Sequence, residues 1–238
     1  MQKLNITLIG DSIAKGITTE NLRLSKLEKC ACSLVEDYLG LKINNLSVYG
    51  QTIKRVQEKK MIENYINNIN PTLRNILVFS IGGNDSDFNW KEVSENPLIY
   101  HSPKTKEDEF VKILDLMIKN LKRHNIEVWL TGLPPIHSER YFKNVICKIG
   151  KMENILKFYN GDITNIQRHQ ELYNFLNYKT AVKNDCKFLD IRSYFLSKRD
   201  FLDSFCEDGV HPNKEGHLEI ANEIIRQLDE YGVKPITN

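Results

Sequence analysis

A chain of 238 residues with 33 Lys and Arg against 31 Asp and Glu has a formal charge of +2, with 27% charged and 41% apolar residues. That apolar share excludes whole-chain disorder, and the near balance of charge excludes a polyanion binder acting through bulk charge. Apolar runs such as Ile76-Leu77-Val78-Phe79 fall far short of the ~20 residues that cross a bilayer.

Met1-Gln2-Lys3 runs straight into Leu4-Asn5-Ile6-Thr7-Leu8-Ile9, a strand over about 3–9, without the basic, apolar and small-residue order of a secretory leader. A helix over 25–39 follows, with Leu27, Ala31, Leu34, Val35 and Tyr38 on one stripe and Gly40 as its stop. Next come a strand at 43–48, a weaker helix at 53–66 and a strand at 75–81. The helix at 106–122 carries Phe110, Ile113, Leu114, Met117 and Leu121 on one face, with Thr105 and Asp108 resembling a capping pair. Strands at 126–131 and 186–191 precede a last helix at 213–231, whose inner face uses His217, Ala221, Ile224, Ile225 and Leu228 before Gly232. Short apolar strands alternating with helices predict an α/β sandwich around a parallel sheet. With no repeat, linker or low-complexity tract, the expectation is one domain over 1–238. Two connections, 82–104 and 132–164, are longer than such a fold needs. Both follow strand C-terminal ends, the edge where open α/β sheets bind ligands.

Five cysteines (30, 32, 147, 186 and 206) are an odd number without metal-like spacing, which predicts free thiols in a reducing cytoplasm. The six histidines show no His-Glu-x-x-His pattern, so no metal site is expected. With 24 Asn in the chain, any single Asn is a weak signal.

Four short blocks carry candidate chemistry. Gly10-Asp11-Ser12-Ile13 puts a hydroxyl just past the first strand, either to cap the next turn or to act at the sheet edge. Val48-Tyr49-Gly50-Gln51-Thr52 after the second strand reads, taken alone, as a plain turn. Ser80-Ile81-Gly82-Gly83-Asn84-Asp85 lets backbone approach a ligand closely and offers a side-chain amide as donor, or is simply a glycine turn. Asp208-Gly209-Val210-His211-Pro212-Asn213 can set a carboxylate against one imidazole nitrogen, or form a loop with Asn213 as helix cap.

Together, in this order and at about this spacing across nearly the whole chain, the blocks resemble the SGNH hydrolases, the family of GDSL-type esterases and lipases. The departure is Ile13, where the family motif often has Leu. The resemblance implies a three-layer α/β/α sandwich, flavodoxin-like, with a parallel five-stranded sheet. It implies Ser12, Gly50, Asn84 and His211 as the site, with Asp208 as third triad member. It also implies a serine ester hydrolase: Ser12 attacks the carbonyl, His211 moves the proton and Asp208 orients His211. The oxyanion would lie among Ser12 N, Gly50 N and the Asn84 amide, with no cofactor or metal.

The two long connections mix aromatic with polar residues and contain no run suited to a long acyl channel. Asp87, Trp90, His137, Arg140 and Tyr141 are the candidate substrate contacts, with Trp90 and Tyr141 stacking on a sugar. The expectation is a cytoplasmic esterase for short acyl groups, acetate first, on a polar alcohol, carbohydrates included. Its partner is a small-molecule ester, with neither nucleic acid nor membrane insertion. A lysophospholipase or thioesterase would use the same site, and a non-catalytic binding module would keep only the fold.

Overall fold

The computed structural model describes residues 3–235. Strand β1 (Leu4–Gly10) leads into a hairpin of β2 (Ile17–Glu20) and β3 (Arg23–Lys26). Then come α1 (Ala31–Leu39), β4 (Ile43–Asn45), α2 (Ile53–Glu58), α3 (Met61–Asn68) and β5 (Arg74–Ser80). Helices α4 (Trp90–Glu95) and α5 (Glu107–Arg123) precede β6 (Glu127–Thr131). After β6 the chain forms α6 (Ser138–Tyr141), a π-helical turn (Phe142–Ile146), α7 (Cys147–Ile149), α8 (Met152–Phe158) and α9 (Asn165–Lys183). Strand β7 (Lys187–Leu189), α10 (Arg192–Ser197), a 3-10 turn (Phe201–Ser204) and α11 (Lys214–Glu230) complete it.

Five strands form one parallel sheet in the order β4-β1-β5-β6-β7, the flavodoxin-like order with its switch point beside β1. β1 and β5 pair along their whole length, Leu4 against Arg74 through Gly10 against Ser80, which sets their C-terminal ends side by side. Alternate residues feed two cores. Leu77 and Phe79 join Val128 and Leu130 under α5 and α9; Ile76 and Val78 join Trp129 under α1 and α11. This is the two-faced burial expected of a parallel sheet. A third cluster gathers Phe88, Trp90, Val93, Ile136, Phe142, Ile146, Ile155 and Tyr159 beside the strand ends.

Several sequence expectations are revised. The helix expected from residue 25 begins only at Ala31, because residues 17–26 pair as the hairpin around Asn21-Leu22. Both turn residues have positive φ (50° and 59°), the two-residue turn whose twist suits a hairpin. The helix expected at 53–66 breaks at Lys59-Lys60, where Lys60 sits at φ 49°. β4 and β7 are shorter than expected, at three residues each. Thr105 does not cap α5; its hydroxyl bonds Asp85 at 2.6 Å, and Lys106 occupies the cap position. The 19-residue α9 lies where the sequence pattern predicts no helix.

Among the described residues no helix is long and apolar enough to cross a membrane. No group of three or more His, Cys, Asp or Glu is placed to hold a metal ion among them. All five cysteines are unpaired.

Candidate active site

Strand β1 delivers its last residue, Gly10, to a crowded corner. A Cβ there would collide with that of Ala14 and lie 3.0 Å from the carbonyl of Ser80. The chain then turns sharply. Asp11 Oδ1 accepts the N–H of Ile13 (3.0 Å), and Lys15 N donates to the Asp11 carbonyl (3.0 Å). Ser12 stands at the head of that turn.

Asp208 and His211 reach the same place from the segment before α11. There Phe205 and Pro212 form an isolated bridge, and Cys206 N donates to the His211 carbonyl at 2.9 Å. The Asn213 side chain caps α11 by accepting from Gly216 N (3.0 Å), as the sequence suggested. Gly209 has φ 73°, and a Cβ on it would meet His137 O at 2.8 Å.

Three groups therefore align. His211 Nε2 lies 3.0 Å from Ser12 Oγ, and Nδ1 lies 2.6 Å from Asp208 Oδ2. Asp208 Oδ1 also accepts the N–H groups of Val210 (2.9 Å) and His211 (3.0 Å), so its carboxylate cannot rotate without losing them. Burial works to raise the Asp208 pKa. The hydrogen bond and charge of His211, with those two N–H groups, outweigh it and hold the carboxyl below its ordinary value.

Gly50 and Asn84 complete the corner. Gly50 has φ 65°, and Arg55 Nη1 donates to its carbonyl (3.1 Å), fixing the turn. Gly82 (φ 123°) packs so closely that a Cβ would crowd Asn177, Leu133 and Phe110. Asn84 Nδ2 donates to Asp11 Oδ2 at 3.3 Å. The backbone N–H groups of Ser12 and Gly50 donate to no acceptor among the described residues. Asp11, Ser12, Gly50, Asn84, Asp208 and His211 all line one cleft of about 780 Å³.

A model of the GDSL-like Lipase/Acylhydrolase family matches residues 6–224, nearly the whole chain. The chain belongs to this family. Among solved structures, a lipase/acylhydrolase from Enterococcus faecalis superposes with a TM-score of 0.64 at 16% identity, covering 100% of both chains. An acetylxylan esterase from Geobacillus stearothermophilus, crystallised as a catalytic mutant, gives 0.63 at 16%, covering 95% of this chain and 94% of its own. A GDSL-like lipase from Parabacteroides merdae gives 0.61 at 17%, covering 98% and 99%. At these identities the likeness is one of fold. Among curated proteins none matches the chain.

The GDSL-like site brings together only part of the expected substrate contacts. Asp87, Trp90 and Tyr141 line the cleft. Asp87 is already engaged: Oδ1 accepts Trp90 Nε1 (2.8 Å) and Tyr141 OH (3.1 Å), and Oδ2 pairs with Lys104 (2.8 Å). Trp90 is 4% exposed, so its ring is packed between Phe88 and Tyr159 and unavailable for stacking on a sugar. Burial pushes the Tyr141 hydroxyl well above its ordinary pKa, keeping it a donor. His137 and Arg140 lie outside the cleft lining and brace the Asp208–His211 loop from behind. His137 N donates to Gly209 O (2.9 Å), and Arg140 Nη1 reaches the carbonyls of Leu202 (3.0 Å) and Phe205 (3.1 Å).

The cleft also has a lining that no contiguous run foreshadowed. Leu22 and Leu24 from the hairpin, Tyr49, and Val145 and Ile149 after α6 all face it. The two long connections hold no single run that forms this lining; residues far apart in sequence assemble it. His169 and Gln170 of α9 join them. The signal for the hairpin, paired β-branched Thr18 and Thr19 before an Asn turn, is present but only four residues long.

Proposed function

We propose that this GDSL-like protein is a serine esterase working through Ser12, His211 and Asp208. The observation that carries the reading is the hydroxyl–imidazole–carboxylate alignment, at 3.0 Å and 2.6 Å, inside the cleft. Ser12 Oγ attacks an ester carbonyl while His211 Nε2 takes its proton and later returns it to the leaving alcohol. Asp208 keeps the other proton on Nδ1 and stabilises the imidazolium. The tetrahedral oxyanion is received by Ser12 N, Gly50 N and the free N–H of Asn84. Water then cleaves the acyl-enzyme. Nothing in these steps calls for a metal or organic cofactor. The proposal takes the chain as one catalytic domain, and its five unpaired cysteines fit a reducing compartment such as the cytoplasm.

For substrate, the proposal is a short acyl group, acetate first, on a polar alcohol. Ser86, Asp87, His169 and Gln170 make part of the cleft polar, and acetylxylan esterases among the structural neighbours agree with this choice. A second reading, a lysophospholipase or thioesterase, draws support from Leu22, Leu24, Val145 and Ile149, which offer an apolar chain somewhere to lie.

The test is hydrolysis of p-nitrophenyl esters from acetate to palmitate, with acetylated sugars alongside. Acetate should give the highest kcat/KM. Ser12→Ala should lose about 10⁶-fold in kcat and all labelling by a fluorophosphonate, while folding normally. A folded Ser12→Ala protein that still turns over would remove the triad from the proposal, and kcat/KM rising through octanoate would select the second reading.

A further inference from the structure

Asp11 is a buried acid for which the steps above have no use. It is 6% exposed, and its two oxygens serve two different turns. Oδ1 accepts from Ile13 N, closing the turn that carries Ser12. Oδ2 accepts from Asn84 Nδ2, in the turn that follows β5. Gly83 stands beside this second contact; a Cβ there would be 3.6 Å from Oδ2. One carboxylate thus spans the segment carrying Ser12 and the segment carrying Asn84, across the paired ends of β1 and β5.

A carboxylate only accepts hydrogen bonds. Facing it, the Asn84 amide must turn its NH₂ inward, and one N–H is then held by Asp11 while the other is left for the cleft. A neutral partner imposes no such choice. An amide turned the other way would aim its carbonyl at a developing negative charge. Keeping the anion is costly: burial pushes Asp11 up to about 6, against the opposing pull of the Ile13 N–H and the charge of His211. Mere turn closure at Ile13 N needs only a neutral cap such as Ser.

We propose that Asp11 is a positioning residue, whose carboxylate fixes the Asn84 amide with one N–H directed at the oxyanion site and locks that amide to the turn bearing Ser12. The inference rests on the reading of Ser12 as nucleophile and Asn84 as oxyanion donor. Asp11 acts through Asn84 and does not itself touch the substrate.

Asp11→Asn is the near-isosteric test, measured on p-nitrophenyl acetate. Its oxygen can still accept from Ile13 N, but an amide then faces an amide at position 84. Expected is a fall in kcat of about 10–100-fold, less than the loss of a whole donor, with KM little changed. In an Asn84→Ala background the same substitution should cost almost nothing further, because the residue it positions is gone. Equal losses in both backgrounds, or a raised KM with kcat intact, would overturn the proposal and leave Asp11 a structural cap. Asp11→Ser, which keeps a cap for Ile13 N but is too short for Asn84, should behave like Asp11→Asn. A crystal structure of the wild-type protein phosphonylated at Ser12 gives a readout independent of any variant's folding. Asn84 Nδ2 should contact both Asp11 and the phosphonyl oxygen, and an Asn84 bonded to only one of them would count against the proposal. Failure of the underlying reading looks different: Ser12→Ala would still hydrolyse ester and Ser12 would resist labelling.

Discussion

The floor and the rim of the cleft are built on opposite terms. The floor consists of strand ends and the turns that leave them, and its polar groups are nearly all buried and bonded. Ser12, Asp208 and His211 are each under 10% exposed. Behind them, Asp85 takes the N–H of Ile53 and the hydroxyl of Thr105 on one oxygen, tying α2 to the Asn84 turn. The rim is apolar and half in water: Leu24 is 55% exposed, Tyr49 50% and Ile149 54%. Geometry to a few tenths of an ångström can be held only where packing and hydrogen bonds leave no alternative rotamer. Half-exposed apolar side chains hold no such geometry, but they gain energy when a ligand covers them. On the proposed reading the floor carries the chemistry and the rim the selectivity.

The hardest blow to the floor short of removing Ser12 is Asp208→Asn. The amide oxygen can keep the Val210 and His211 N–H groups, so the loop should hold its shape. Its NH₂ would then face His211 Nδ1 and force the ring proton onto Nε2, where it cannot accept from Ser12. A loss of about 10⁴ in kcat is expected, with Tm little altered. A loss under tenfold would mean that Asp208 only shapes the loop.

Asn84→Ala should cost about 10²–10³ in kcat, near 3–4 kcal/mol, with KM almost unchanged, because an oxyanion donor strengthens its contact only in the transition state. A raised KM at constant kcat would make Asn84 a ground-state contact and blur the distinction between floor and rim.

What could be read from sequence divides along the same line. The floor was legible because Gly10, Ser12 and Asn84 lie at or just past strand ends, where position in the chain fixes position in space, and because Asp208 and His211 lie three apart in one short segment before the last helix. The rim was not. Leu22, Leu24, Val145 and Ile149 come from two excursions, and no local pattern says that they meet. Helix α9 was missed for a related reason. Its buried face mixes Gln170, Asn177 and Thr180 with Ile166, Tyr173 and Ala181, while Leu172, Phe175, Tyr178 and Val182 face outward. Gln170 bonds the Pro134 carbonyl and Arg192, and Asn177 bonds the Ile81 carbonyl, so polar residues are buried there to satisfy the loops beside the site. With polar residues inside and large apolar ones outside, the amphipathic pattern by which a helix is recognised is blurred.

The floor extends beneath the site to His217, which is fully buried, accepts a 3.3 Å bond from Ala31 N and is pushed down to about 4, chiefly by burial. An unfolded His takes a proton near pH 6.5, so between about 6.5 and 4 the unfolded chain holds the extra proton and stability falls on acidification. Asp11 and Asp85, both pushed up to about 6 by burial, work in the opposite direction over about pH 4–6. Comparing the wild type with His217→Gln cancels those carboxylates. In urea unfolding, the stability difference should shift by about 2–3 kcal/mol in favour of the variant between pH 7.5 and 4.5. A difference independent of pH would show His217 ionising in the fold as freely as it does in the unfolded chain.

The smallest effects belong to the rim, and their selectivity is what tests it. Leu24→Ala and Ile149→Ala each remove apolar surface that is already about half in water, so little is lost when nothing covers it. An acetyl group is too short to do so if it sits against Ser12, and p-nitrophenyl acetate should be hydrolysed within about twofold of the wild-type rate, as for surface substitutions away from a reacting centre. A hexanoyl or octanoyl chain that follows the cleft outward would lie on these side chains and lose their contact. At about 0.8 kcal/mol per buried methylene, with only part of each side chain covered, kcat/KM for those esters should fall about 3–10-fold. The ratio of octanoate to acetate activity is therefore the quantity to measure. An unchanged ratio would mean that the chain takes another course and that the apolar rim serves the alcohol side. Equal losses on acetate and octanoate would mean that the hairpin and the α7 end help to hold the floor, and the division between the two regions would fail.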